Sequence, residues 1–408
     1  MKKGLRKIFM GFVITPAVMQ LSVLIALESA CPAATLRLEV IKTLPYPNIG
    51  STTPGVEQFP GGFEGGSTAK VKIHGKTEYH FFATAMPTLG WGSSSLDHWV
   101  GDGHTNWHRV RVEQPTYKDK DGNYQLFCAA TPFFNQKQNR WYLYYGRYPC
   151  KIDTWQPNGV IAAAPSKTSG MKGIRGPFDF PGQELFVPGV SYPAGTLSDQ
   201  PSPPYQLADG NWAVFMGCDG GHSTGRGDMN YDAGWVWSAT DTWPKGSDAT
   251  QRPGHWWVAP TFGPTPLGPF TNATPFRSAP LIAPGGFNEN PMPLRIRGPK
   301  TGKDYWVAVF DFLAPETAQY PEPNVFGFCW SEDGINWPKE HGQVVKIDEG
   351  LPKGQKGWWK GQWAVRCPHQ MIDEGDGTYT IFFTGATTEN YFAGFRAVGS
   401  TRVRVIEE

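Results

Sequence analysis

Five short segments recur along this chain, spaced about 65 to 90 residues apart, and this internal repeat constrains the fold more than any single motif. They read Phe63-Glu64-Gly65-Gly66, Ala130-Thr131-Pro132, Asp199-Gln200-Pro201, Glu289-Asn290-Pro291 and Arg366-Cys367-Pro368. Each is followed by an aromatic and β-branched run bounded by Gly, Pro, Asn or Asp: Tyr79–Ala83, Trp141–Tyr145, Trp212–Met216, Tyr305–Phe310 and Tyr379–Phe383. Such pairs read as β-hairpins.

A second landmark follows several of these hairpins: Asp102-Gly103-His104-Thr105-Asn106-Trp107, Asp153-Thr154-Trp155, Asp241-Thr242-Trp243 and Ser331-Glu332-Asp333-Gly334-Ile335-Asn336-Trp337. An Asp that turns the chain and a Trp that packs back on the sheet suit a structural turn between outer strands. Repeats with about four strands each suit an all-β, five-bladed β-propeller, a fold that leaves only short, protected sheet edges. Leu36-Arg37-Leu38-Glu39-Val40 and Thr401-Arg402-Val403-Arg404-Val405 both alternate, so the N-terminal strand can join the last blade and close the wheel. Residues 156–198 and 244–285, rich in Pro, Gly and Ser, read as long loops on its faces.

Composition agrees with many short strands and tight turns, with 17 Trp, 49 Gly and 37 Pro. Residues 1–34 read as a signal peptide, with a basic Met1-Lys2-Lys3-Gly4-Leu5-Arg6-Lys7 start and an apolar stretch from Ile8 to Leu27. The expected product is a secreted or periplasmic single domain, 35–408; Cys31 gives a weaker lipoprotein signal, broken by Glu28. No later run is apolar for the roughly 18 residues that a membrane span needs. With 37 basic and 36 acidic residues the chain carries no global field to attract nucleic acid or an anionic surface. Cysteines without a CxxC pair argue against structural zinc, and of the one or two disulfides this odd set permits, Cys128 with Cys150 is the one expected.

If each leading segment is the innermost strand of its blade, then Glu64, Ala130, Asp199, Glu289 and Arg366 point to the central axis. Crowded carboxylates raise one another's pKa, so one can remain an acid while another serves as a base. Glycoside hydrolysis requires that division, and an inverting enzyme holds its pair about 6.5 to 9.5 Å apart with a water between. Each acid taken alone is more often a turn residue bonding local backbone. Three at equivalent positions of a repeat are harder to explain that way.

These segments resemble the five-bladed propeller glycosidases, above all the family 43 glycoside hydrolases and the related family 117 enzymes. The resemblance spans the mature chain and rests on Asp199-Gln200-Pro201, Glu289-Asn290-Pro291, the Ser331 to Trp337 turn and Arg366-Cys367-Pro368-His369. It implies Glu64 as general base, Asp199 as the residue that orients and tunes the acid, and Glu289 as general acid. The family base is usually Asp, so Glu64 departs from the pattern, and Asp97 and Asp102 are the substitutes. The resemblance also sets His369 beside a central water or calcium ion; no dense calcium loop is visible, and no cofactor is required.

Further substrate-binding candidates are Arg366, which can clasp a substrate carboxylate or sulfate or neutralise the acids, and Asp219 and His222 in the Gly-rich Cys218–Ser223 stretch. His98 and Trp99, within a cluster with His104, Trp107 and His108, could offer a sugar platform. The function these features imply is an exported hydrolase of plant or algal oligosaccharides. A non-catalytic carbohydrate-binding propeller and a propeller phosphorylase are the alternatives.

Overall fold

The computed structural model describes residues 35–88, 94–120, 122, 124–151, 154–155, 160–186, 197–199, 201–219, 256–270, 287–313, 325–361, 364–389 and 393–408. Residues 1–34, the expected signal, lie outside that range, as do the turns at Asp153 and Asp241. Among the described residues the regular structure is β-strand with short 3-10 turns, which bears out the all-β expectation. No helix among them is long and apolar enough to cross a membrane.

The strands form antiparallel sets in chain order, and each set begins at a segment of the repeat. Set one runs Gly62–Ile73, Lys76–Met86, Ser95–Gly101 and Trp107–Gln114. Set two contains Tyr124–Asn135, Arg140–Lys151, Val160–Ser169 and Gln183–Phe186. Set three pairs Leu197–Asp199, Trp212–Asp219 and Trp256–Gly263. Set four comprises Phe287–Arg297, Asp304–Leu313, Val325–Ser331 and Gln343–Lys346. In set five, Val365–Arg366, Tyr379–Ala386 and Arg396–Glu407 are joined by the N-terminal strand Leu36–Thr43. That strand pairs antiparallel with the C-terminal one from Leu36↔Glu407 to Thr43↔Thr401, as the two alternating segments suggested.

Two stretches expected to be loops contain strands: Val160–Ser169 and Gln183–Phe186 in the first, Trp256–Gly263 in the second. In the first of these, Val160, Ile161, Ala162, Ala163 and Ala164 are all buried, so no alternation marks the strand, and Pro165 hides its continuation.

Hydrophobic layers lie at four seams between neighbouring sets. Phe82, Leu96, Leu143, Ala164 and Phe178 share a cluster between sets one and two, and Tyr144, Ile161, Val214 and Phe270 share the next. Tyr205, Phe215, Phe310 and Trp337 fill the layer between sets three and four. Phe63, Phe81, Trp99, Phe382 and Val398 join sets one and five, where a parallel bridge links Gly62 to Arg396. Only glycine suits that bridge: Gly62 has φ +72, and a Cβ there would stand 2.2 Å from the Arg396 carbonyl oxygen.

The Asp-to-Trp turns form as the sequence indicates. Asp102 Oδ1 accepts the His104 N–H at 2.8 Å, Asn106 Nδ2 donates to Asp102 Oδ2, and the Trp107 ring donates to the His104 carbonyl at 2.9 Å. Asp333, Asn336 and Trp337 repeat the arrangement, with the Trp337 ring donating to the Gly334 carbonyl at 3.2 Å.

Candidate functional site

A bulge interrupts the first strand of several sets at the repeated segment, and its backbone marks the equivalent residues. Register shifts fall between Phe63 and Gly66, Cys128 and Thr131, and Glu289 and Met292. Gly65 (φ 76), Ala129 (φ 47), Asn290 (φ 50) and Cys367 (φ 50) occupy the left-handed region there. Non-glycine residues rarely adopt it, so three such instances, with Gly65 beside them, identify one repeated device. The residues just before it are Glu64, Cys128, Glu289 and Arg366, which corrects the position in set two from Ala130 to Cys128. The proline that guided the alignment stands two positions later there, at Pro132.

These strand ends bring charged side chains together from three sets. Arg366, 7% exposed, donates from Nε to Asp311 Oδ2 at 2.9 Å, and its Nη1 lies 3.2 Å from Glu64 Oε1. Arg396 Nη1 approaches the other Glu64 oxygen at 3.4 Å, while its Nε donates to the Gly61 carbonyl at 2.9 Å. Asp311 and Arg396 are fully buried, and Glu64 is 3% exposed. Among the described residues these buried carboxylates and guanidiniums pair with one another, the condition under which charges persist inside a protein. Arg366 thus bridges a carboxylate of set one and a carboxylate of set four.

The bulges contact one another as well. Asn290 Nδ2 donates to Cys367 Sγ at 3.2 Å, and that thiol lies 3.6 Å from Asp311 Oδ2. Asp311 Oδ1 is buried with no hydrogen-bond partner among the described residues. Sequence reasoning missed Asp311, which stands opposite Glu289 in the strand register. The corresponding positions facing Cys128, Asp199 and Arg366 hold Gly146, Gly217 and Thr384, so no repeat signal could expose it.

The remaining candidates separate clearly. Asp199 closes its strand opposite Gly217, Asp219 pairs with Leu197 and Trp256, and His222 lies outside the described residues. His369 is fully buried: its Nδ1 is 2.8 Å from the Thr68 hydroxyl and its ring stacks on Phe81 at 4.8 Å. Burial pushes its pKa down to about 3, and Nε2 has no hydrogen-bond partner among the described residues. Its other described neighbour is the Phe382 ring, with centroids 6.2 Å apart. Among the described residues no group of three His, Cys, Asp or Glu side chains comes together to hold a metal.

Trp99 and His98 are core residues rather than a sugar platform. Both are fully buried, Trp99 packing edge-on against Phe63 at 5.6 Å and His98 stacking on Phe82 at 4.3 Å, so neither ring has a face for a sugar. Of the alternative bases, Asp102 is spent on its turn. Asp97 is buried against Arg109 at 2.9 Å; burial lifts its pKa to about 6 although Arg109 opposes the shift. Cys128 faces Gly146 while Cys150 faces Tyr124, which sets the two cysteines about 13 Å apart along paired strands. A disulfide between them is excluded, since it needs Cα atoms within about 7 Å.

No protein-family model matches the chain, and no curated protein matches it. Solved structures do, and they include propeller glycoside hydrolases of families 117, 43 and 32. Exo-inulinase from Aspergillus awamori is 11% identical with a TM-score of 0.50, over 87% of this chain and 63% of that one. Zg3597, a family 117 glycoside hydrolase of the marine bacterium Zobellia galactanivorans, is 10% identical with a TM-score of 0.44, over 91% and 90%. The GH43_1 enzyme of Xanthomonas citri complexed with xylotriose is 12% identical with a TM-score of 0.45, over 88% and 90%. At 11% identity the exo-inulinase likeness speaks to fold alone, and the other two carry no argument.

Proposed function

We propose that this chain is an exported glycoside hydrolase whose five strand sets close into a five-bladed propeller around an acidic centre. Closure is supported by the hydrophobic layers between successive sets, by the pairing of the N- and C-terminal strands, and by the Gly62–Arg396 bridge. The observation that carries the functional reading is the meeting of Glu64, Asp311 and Arg366 from sets one, four and five, at the bulges that also carry Glu289 and its equivalents.

In this reading Glu289 protonates the leaving oxygen of an oligosaccharide and Asp199 orients it. Glu64, held by two guanidiniums, activates the water that attacks the opposite face of the sugar, with inversion. Arg366 fixes the carboxylates rather than an anionic substrate, so plant or algal oligosaccharides without acidic groups are the first substrates to try.

The test is reducing-sugar release from a panel of such oligosaccharides by the wild type and Glu289→Gln. Turnover that falls at least about a hundredfold in the variant supports the glycosidase and its acid. Turnover indifferent to the substitution removes Glu289 from the mechanism. Binding without turnover by either protein replaces the enzyme with a carbohydrate-binding propeller.

A further inference from the structure

Away from the acidic centre, four ionisable side chains form an unbroken line across set one. Glu78 Oε2 is 3.2 Å from His80 Nε2, His80 Nδ1 is 2.9 Å from His98 Nε2, and His98 Nδ1 is 3.1 Å from Glu113 Oε1. Both imidazoles are fully buried, the Glu113 side chain is 1% exposed, and the Glu78 side chain is 16% exposed.

The number of protons in this line follows from its contacts. Three close contacts need three protons between them, and two neutral imidazoles supply two. With both carboxylates ionised and both imidazoles neutral, one contact would set lone pair against lone pair in a site closed to water, which is costly. We propose that Glu78, His80, His98 and Glu113 form a buried binding site for one additional proton, held at Glu113, whose loss loosens the seam between sets one and two.

Geometry sets the direction of the line. Arg175 pairs with the Glu78 carboxylate and makes it the ionised end. The Glu113 hydroxyl then donates to His98 Nδ1, His98 Nε2–H donates to His80 Nδ1, and His80 Nε2–H donates to Glu78. Both imidazoles are neutral Nε2–H tautomers, and all three contacts are satisfied.

The charges around the line are accounted for on every side. Arg111 Nε, 3.5 Å from Glu113 Oε1, favours ionisation of Glu113, as does the Phe178 backbone N–H. Asp97 lies close enough for Glu113 to disfavour its charge, and His108 and Arg111 disfavour charge on His98. Burial outweighs these and raises the Glu113 pKa to about 7, while it lowers both His80 and His98 to about 3. The seam depends on the line because Arg175 follows the third strand of set two, Arg111 donates to the Arg175 carbonyl at 3.0 Å, and Phe178 packs edge-on against Phe82, which stacks on His98.

The test is the folding equilibrium of the full chain between pH 5 and 8.5, for the wild type and for Glu113→Gln, whose amide N–H preserves the donor to His98. A carboxyl whose pKa is raised by folding contributes stability at low pH and loses it as pH rises through the folded value. The wild-type folding constant, relative to that of the variant, should therefore fall about tenfold per pH unit between about pH 5 and 7 and level off above. A ratio that is flat across this range overturns the proposal. Should Glu113→Gln fail to fold, imidazole nitrogen NMR of the wild type at pH 6 decides the matter. Neutral Nε2–H tautomers at both His80 and His98 support it, and an imidazolium at either contradicts it. Neither measurement depends on the sugar chemistry proposed above.

Discussion

The first strands of sets one and two share a backbone and differ in chemistry. Both bulge at a left-handed residue, Gly65 in one and Ala129 in the other. Before the bulge one strand carries Glu64, tied to two buried guanidiniums, and the other carries the thiol Cys128. The bulge is therefore a property of the repeat, present whether or not charge is. Charge was placed upon it in selected sets, and there the stability of the centre and its proposed chemistry depend on the same few side chains.

The sharpest way to test this difference is to remove each side chain in turn. Glu64→Ala leaves Arg366 and Arg396 buried beside a lost partner and should cost about 3 to 5 kcal/mol in urea unfolding. Cys128→Ala, which removes one buried sulfur, should cost about 1 kcal/mol. Comparable losses would mean that the charged network contributes no more than packing does. Asp311→Asn keeps the shape of its side chain but weakens the anchor of Arg366, and about 2 kcal/mol is expected, between the two.

Smaller effects separate backbone from side chain. Gly65→Ala places a Cβ 3.4 Å from Cys367 Sγ at φ +76 and should cost about 1 kcal/mol. Ala129→Gly relieves a strained φ but removes a buried methyl, so unfolding within about 1 kcal/mol of wild type is expected. If Ala129→Gly were as damaging as Glu64→Ala, the two bulges would not be equivalent.

The repeat and its turns were legible in the sequence because each is encoded locally. Asp102 with Trp107, and Asp333 with Trp337, are read from spacing alone, and the alternating terminal strands announce their own pairing. The register in set two was not legible, since proline directly follows the left-handed residue at Pro291 and Pro368 but stands two positions later in that one. Asp311 was hidden within the apolar strand Asp304–Leu313, where only its partner across the sheet reveals its place. His98 and Trp99 looked like surface for a sugar because aromatic and imidazole groups serve cores and binding faces alike. Burial distinguishes the two uses, and burial arises from neighbours distant in the chain.

The most direct measurement compares the equivalent inner positions by function: turnover of the best oligosaccharide of the panel by Glu289→Gln and by Cys128→Ala, each beside the wild type. A fall of about a hundredfold or more in Glu289→Gln with near wild-type turnover in Cys128→Ala is the predicted result. Equal turnover in the two variants would contradict the account, because the bulged strand ends would then carry a fold and no catalysis.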